Sequence, residues 1–162
     1  MTHTPRVSVL FVCLGNICRS PTAEAVFVRE VRAAGLSHLV HVDSAGTGDW
    51  HAGELAHPPT RALASSRGVE ITHRARQITR ADLDAFDHLV VMDRENRRNV
   101  LALASHDAHR SKVRLFREFE QGAGADAEVP DPYYSGEFGL VFDICERASA
   151  GLLAHLRRTH AL

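Results

Sequence analysis

The sequence predicts an α/β fold in which one doubly wound sheet of four parallel strands carries helices on both faces. Two observations carry this expectation. Short β-rich runs alternate along the chain with longer stretches of helical periodicity, the pattern of strands joined by crossover helices. The interruptions "SAGTGDWHAGE" and "EQGAGADAEVPDPYYSGE" are rich in Gly, Pro and Asp but short enough to be surface loops, so residues 1–162 are expected to form one domain, with 1–5 as a flexible N-terminus.

The first strand is read over "RVSVLFV", 6–12. After a short loop, Ser20 and Pro21 suit the N-cap and first position of a helix whose buried face is Ala23, Val26, Phe27, Val31 and Ala34, with Gly35 as its stop. The second strand is "LVHVDS", 39–44, followed by a helix over Pro58–Ser66. The third is "HLVVMD", 88–93, followed by a helix over Arg94–Ala104, and the fourth is "KVRLF", 112–116. A final helix over Phe138–Arg158 buries Val141, Ile144, Cys145, Ala148, Leu152 and Leu156.

Nineteen Lys and Arg stand against 20 acidic residues, so the chain has no general electrostatic attraction for nucleic acid or an anionic membrane. The N-terminal apolar run is too short for a signal h-region or a membrane span, which points to a cytoplasmic protein. Three cysteines do not make a disulfide framework and suit a reducing compartment.

Cys13 stands where the first strand gives way to its loop, at the end of a parallel sheet where ligands bind. Gly15 and Asn16 tolerate left-handed backbone, so the N–H groups from Leu14 to Arg19 can turn inward as an anion nest, reinforced by the positive end of the following helix. The same helix end, with Arg19 and a hydroxyl, favours the thiolate form of Cys13, the nucleophile. Arg19 offers a planar fork for two phosphoryl oxygens. Asp131, confined between Pro130 and Pro132, can give a proton to a departing oxygen and later take one from water, with Tyr133 and Tyr134 as aromatic walls. No metal or cofactor is needed for such chemistry.

With these residues in view, the chain resembles the low-molecular-weight protein tyrosine phosphatases over nearly its whole length. "VCLGNICRSPTAE", "DSAGT", "RARQIT", "VMDRENRRNV" and "VPDPYY" match the family pattern in order and approximate spacing. The resemblance implies a flavodoxin-like fold of the phosphotyrosine phosphatase I type, with Cys13 as nucleophile and Asp131 as general acid and base. It implies that Leu14, Gly15, Asn16, Ile17, Cys18 and Arg19 cradle the phosphate, and that Ser20 steadies the Cys13 thiolate. It further implies that Asn16, Ser44 and His73 form a supporting hydrogen-bond network. The resemblance also favours Cys18 as a redox partner that traps oxidised Cys13 as a reversible disulfide. The expected partners are phosphotyrosine proteins, with a cognate tyrosine kinase as a candidate, and the expected assembly is a monomer or weak homodimer.

Trp50 follows the end of the second strand and should lie on the rim of the same site. Cys145 reads as inert packing, and the "RENRR" run at 94–98 as a solvated helix face. The 11 histidines are read as scattered, with His106 and His109 lacking a nearby carboxylate to support a metal site. Two rival activities use the same scaffold. Relatives that hydrolyse phosphoarginine place a threonine where this chain has Ile17, which argues against that substrate. Arsenate reduction uses two further cysteines after the third strand, but residues 70–112 contain none, so only reduction through an external thiol would remain. A phosphate-binding module without catalysis would need neither Cys13 nor Asp131.

Overall fold

The structure is a computed structural model that describes residues 5–162, so the expected flexible stretch 1–5 lies, except for Pro5, outside the described residues. Four parallel strands, β1 (Val7–Cys13), β2 (Val40–Gly46), β3 (His88–Val91) and β4 (Val113–Leu115), form one sheet in the order β2-β1-β3-β4. Around them run α1 (Arg19–Ala33), α2 (Pro58–Ser66), α3 (Arg80–Ala85), α4 (Arg94–Leu101), α5 (Asp107–Arg110), α6 (Pro132–Ser135) and α7 (Phe138–His160). The fold class is the one expected.

β1 explains why both faces must be covered. Alternate side chains of a strand point to opposite faces, and in β1 both sets are apolar. Val7, Val9, Phe11 and Cys13 join Ala23, Val26 and Phe27 of α1 and Val141, Ile144, Cys145, Ala148 and Leu152 of α7 in one core. Leu10 and Val12 face the other way, against Leu83 of α3, Val100 of α4, and Leu89 and Val91 of β3. Cys13 therefore ends its strand on the face covered by α1 and α7.

The chain leaves β1 for β2 on one side, while β3 pairs with β1 on the other, so the crossovers diverge at the carboxyl end of β1. That divergence opens a crevice between the loops after β1 and β3, where this topology places ligands.

Several boundaries depart from the sequence reading. α1 begins at Arg19, with Cys18 rather than Ser20 in the N-cap position, and the Ser20 hydroxyl is engaged elsewhere. Pro21 then occupies the third helical position, still inside the first turn, where the missing N–H costs no helical bond. Gly35 has φ +73° and lies one residue beyond the C-cap Ala34. β2 runs two residues further than expected because Gly46 pairs with Cys13. α4 stops at Leu101 instead of Ala104. The short helices α3, α5 and α6 and a 3-10 turn at Phe116–Phe119 were not foreseen, being too brief for a periodic apolar pattern. For α3 a local signal exists: Thr79 and Asp82 form a capping box.

Candidate active site

Cys13 Sγ lies at the base of a cavity of about 300 Å³ lined by Leu14, Gly15, Ile17, Cys18 and Arg19 of the loop, with Trp50, His51, Asp131, Tyr133 and Tyr134 around it. The thiol itself is only 3% exposed at the residue level. Asn16 alone of the two flexible residue types takes left-handed backbone, at φ 57°. This turn directs its N–H to Cys13 Sγ at 3.3 Å. Gly15 keeps negative φ, and a Cβ there would sit 3.2 Å from Cδ2 of His51, a tight contact that the His51 ring would have to yield to.

Asn16 does not line the cavity; its side chain runs backward and orders everything behind the loop. The backbone N–H of Arg76 can only donate, and it donates to Asn16 Oδ1 at 3.0 Å. That assigns the amide oxygen, so His73 Nε2, 2.8 Å from the same Oδ1, must carry a proton and donate as well. The amide nitrogen then gives its two N–H bonds to Ser20 Oγ (2.7 Å) and Ser44 Oγ (3.1 Å). With a lone pair of each so used, the Ser44 hydroxyl donates to Glu24 Oε1 at 2.6 Å, and the Ser20 hydroxyl can donate to Cys13 Sγ at 3.0 Å, the Ala45 carbonyl being a longer alternative at 3.4 Å. A thiolate at position 13 would thus receive one O–H and one N–H.

Arg19 is 3% exposed, and its Nη1 donates to Asp93 Oδ2 at 2.6 Å and to the Val129 carbonyl at 3.1 Å. Nη2 lies 3.5 Å from Asp131 Oδ2. Burial works against its charge, but Cys13, Asp93 and Asp131 outweigh that and hold the guanidinium firmly cationic. Asp131 caps α6, its Oδ1 accepting from Tyr133 N–H at 3.1 Å, so one carboxylate oxygen is fixed by the turn and the other faces Arg19. Burial pushes the Cys18 thiol up to about 11, with Thr60 opposing the shift and Cys13 and Asp131 adding to it. All three cysteines are free, and burial also raises the thiol of Cys145.

At the rim, Trp50 is 68% and Tyr134 80% exposed. Tyr133 is steadied by the His57 ring, 5.2 Å away between centroids, and by Tyr134 at 5.4 Å. The cavity and its rear network thus bring together the candidate site residues 13–20, Ser44, Trp50, His73, Asp131, Tyr133 and Tyr134. Asp93, the Val129 carbonyl, Glu24, Arg76, His51 and His57 were missed. Of these only Asp93 had a usable sequence signal: an acidic residue directly after a central parallel strand, at a helix start, belongs at the ligand-binding edge.

One expectation about histidines is corrected: Asp84 lies beside His106 and His109, its Oδ1 2.6 Å from His109 Nε2. The trio nevertheless does not fit a metal. Ser105 N–H donates to His109 Nδ1 at 3.1 Å, so Nε2 holds the proton given to Asp84 and presents no lone pair.

Comparison with known proteins adds to this geometry. Residues 8–162 match the family model described as low molecular weight phosphotyrosine protein phosphatase. A Streptomyces coelicolor protein named low molecular weight protein-tyrosine-phosphatase is 47% identical over 152 residues, covering 92% of this chain and 93% of that protein. The crystal structure of YfkJ from Bacillus subtilis superposes with a TM-score of 0.89 at 38% identity, covering 96% of this chain and 98% of that one. A Drosophila arginine phosphatase structure superposes with a TM-score of 0.84 at 29% identity, covering 92% of this chain and 97% of that one. With a family match across almost the entire length and relatives of this identity and coverage, the chain belongs to the low molecular weight phosphotyrosine protein phosphatase family.

Proposed function

We propose that this chain hydrolyses phosphotyrosine in proteins, and small aryl phosphates, through a phosphocysteine intermediate. The observation that carries the reading is the meeting in one cavity of a buried thiol, an arginine held by two carboxylates, and an acid loop walled by tyrosines. In the first step the Cys13 sulfur forms a bond to phosphorus while the P–O bond to the aryl group breaks, and Asp131 gives its proton to the leaving oxygen. In the second, Asp131 takes a proton from water as the water oxygen attacks phosphorus and the P–S bond breaks, restoring the thiolate and releasing phosphate. Arg19 binds two phosphoryl oxygens throughout, and Ser20 and the Asn16 N–H steady the sulfur as it leaves.

A cavity lined by Trp50, Tyr133 and Tyr134, all exposed, suits an aryl ester better than a short alkyl one. A second reading, phosphoarginine hydrolysis, is favoured by the likeness to the Drosophila arginine phosphatase. Against it stands Ile17, which lines this cavity as an apolar group. The described residues contain no helix long and apolar enough to cross a membrane, and we place the activity in the cytoplasm. The test is phosphate release from matched phosphotyrosine, phosphoserine and phosphoarginine substrates with chelator present and Cys13→Ser as the blank. Cys13-dependent preference for phosphotyrosine is expected. Dominant phosphoarginine turnover would replace it with the second reading, and turnover surviving in Cys13→Ser would overturn the mechanism.

A further inference from the structure

The "RENRR" run at 94–98 lies on α4 with Arg94, Glu95 and Arg98 exposed. α4 starts immediately after Asp93, whose carboxylate holds Arg19. Beside it lies an open groove of about 540 Å³ lined by Arg94, Glu95, Arg97, Arg98, Leu101 and Glu128. Glu128 is already engaged: its Oε2 accepts from Arg94 N–H at 2.7 Å and lies 3.3 Å from Arg94 Nε. The side chains of Arg97 and Arg98 have no hydrogen bond or ion pair within the described residues, although their backbones are bonded within and at the end of α4. The groove therefore presents two free guanidinium groups against one free carboxylate, that of Glu95, on a chain whose net charge is −1.

Its position matters as much as its charge. Glu128 forms one wall, the next residue, Val129, gives its carbonyl to Arg19, and Asp131 lines the catalytic cavity. The groove and the cavity thus share the 128–131 segment as a partition. A peptide whose phosphorylated tyrosine enters the cavity can cross that partition within a few extended residues, each spanning about 3.3–3.6 Å. An extended peptide can present carboxylates to Arg97 and Arg98 and an apolar side chain to Leu101.

We propose that the α4 groove is an accessory docking site for an acidic stretch of the phosphoprotein substrate, lying a few residues from the phosphotyrosine. This rests on the phosphotyrosine reading above and narrows it to substrates with neighbouring acidic residues. Recognition is by ion pairs at a solvent-accessible surface, so it should act on KM and weaken with salt.

The test uses three substrates: a phosphotyrosine peptide extended by glutamates, the same peptide extended by glutamines, and p-nitrophenyl phosphate. They are compared in the wild type, in Arg97→Glu/Arg98→Glu, and in Arg97→Gln/Arg98→Gln in case charge reversal disturbs the helix. Relative to the wild type, the reversed pair should raise KM for the acidic peptide roughly five- to tenfold, with kcat and p-nitrophenyl phosphate turnover unchanged. Fluorescence anisotropy of the unphosphorylated acidic peptide provides a readout independent of hydrolysis, and its binding should be lost in the reversed pair and in high salt. Equal KM values for acidic and neutral peptides in the wild type, or acidic-peptide binding that survives both variants, would overturn the docking site. Loss of phosphotyrosine turnover with retained peptide binding would instead count against the activity and leave the groove standing.

Discussion

Asp93 Oδ2 accepts a 2.6 Å hydrogen bond from Arg19 Nη1, while the other oxygen of the same carboxylate accepts from Asn96 N–H at 2.7 Å and caps α4. One side chain therefore joins Arg19, which follows β1, to the helix after β3. The guanidinium needs this partner because it is buried, and its planar fork must be oriented before a phosphate arrives.

Replacing Asp93 by serine keeps a capping oxygen and removes the arginine's partner. KM for aryl phosphates, and the inhibition constant for inorganic phosphate, should rise by about tenfold or more, the worth of a charged hydrogen bond. Stability should fall too, by about 3 kcal/mol, because the buried guanidinium loses its shortest partner and keeps only the Val129 carbonyl and the more distant Asp131. Asp93→Ala should show the same kinetic loss and about 1 kcal/mol of further destabilisation from the missing cap. Unchanged phosphate affinity in Asp93→Ser, measured by competition, would show that Arg19 is oriented by other groups.

Gly46 at the end of β2 faces the back of the loop after β1 so closely that an added Cβ would lie 2.8 Å from the Leu14 carbonyl oxygen and 3.1 Å from Asn16 N. Both contacts are backbone, which cannot rotate aside. Gly46→Ala should therefore push the loop outward, costing about 1–3 kcal/mol of stability and lowering kcat by an order of magnitude or more, since small displacements at a reacting atom are expensive. Full activity with a normal unfolding midpoint would show that the loop can yield at this point.

How much of this was readable in advance follows chain distance. Cys13, Gly15, Asn16 and Arg19 sit in one loop, and Asp131 is marked by its flanking prolines, so local chemistry exposed them. The links of Arg19 to Asp93 and Val129 span 74 and 110 positions, and only the parallel pairing of β1 with β3 brings them together. Arg76 and Glu24 were hidden for a similar reason: they meet around Asn16, Ser44 and His73, where β2, α1 and the loop before α3 converge. Ser20 carried two readings, a helix cap from its position and a donor to Cys13 from the family resemblance, because both roles use the same residue type; its hydroxyl lies 3.0 Å from Cys13 Sγ, while Cys18 holds the N-cap position.

At the opposite end of the sheet, His88 Nε2 and His160 Nε2 face each other at 2.9 Å, which permits one proton between them. Burial pushes His88 down to about 4, and the neighbouring His160, His155 and Arg114 add to this while Asp87 opposes it. An unfolded histidine takes its proton near pH 6.5, so between that value and about 4 the unfolded chain binds the extra proton. Stability should thus be complete above pH 6.5 and fall as pH drops, by up to about 3 kcal/mol from this group. His88→Gln should flatten that acid limb in urea unfolding measured from pH 8 to pH 4. An identical limb in the variant would assign the acid sensitivity to other groups.

Behind the active site the sign is reversed. Burial raises Glu24 to about 7, with Asp43 reinforcing the shift and Ser44 and Arg76 opposing it, while burial lowers His73, 3.3 Å away at Nδ1. Because His73 Nε2–H is committed to Asn16, a neutral imidazole turns its Nδ1 lone pair toward Glu24, and a protonated Glu24 can donate to it. The folded chain therefore holds a proton between about pH 4.5 and 7 that the unfolded chain has released, and stability must fall as pH rises through that window. Glu24 Oε1 faces both the Ser44 hydroxyl and His73 Nδ1, so Glu24→Gln removes the titrating proton while its amide satisfies only one of the two there. It should lie about 1 kcal/mol below the wild type near pH 4.5, for the lost bond, and above it beyond pH 7 by up to about 2 kcal/mol. Since Asn16, Ser20 and Cys13 hang on the same network, the variant should also lose any change in kcat that the wild type shows across neutrality. A variant less stable than the wild type at pH 8 would mean instead that His73 is cationic there and that Glu24 serves it as a charged partner.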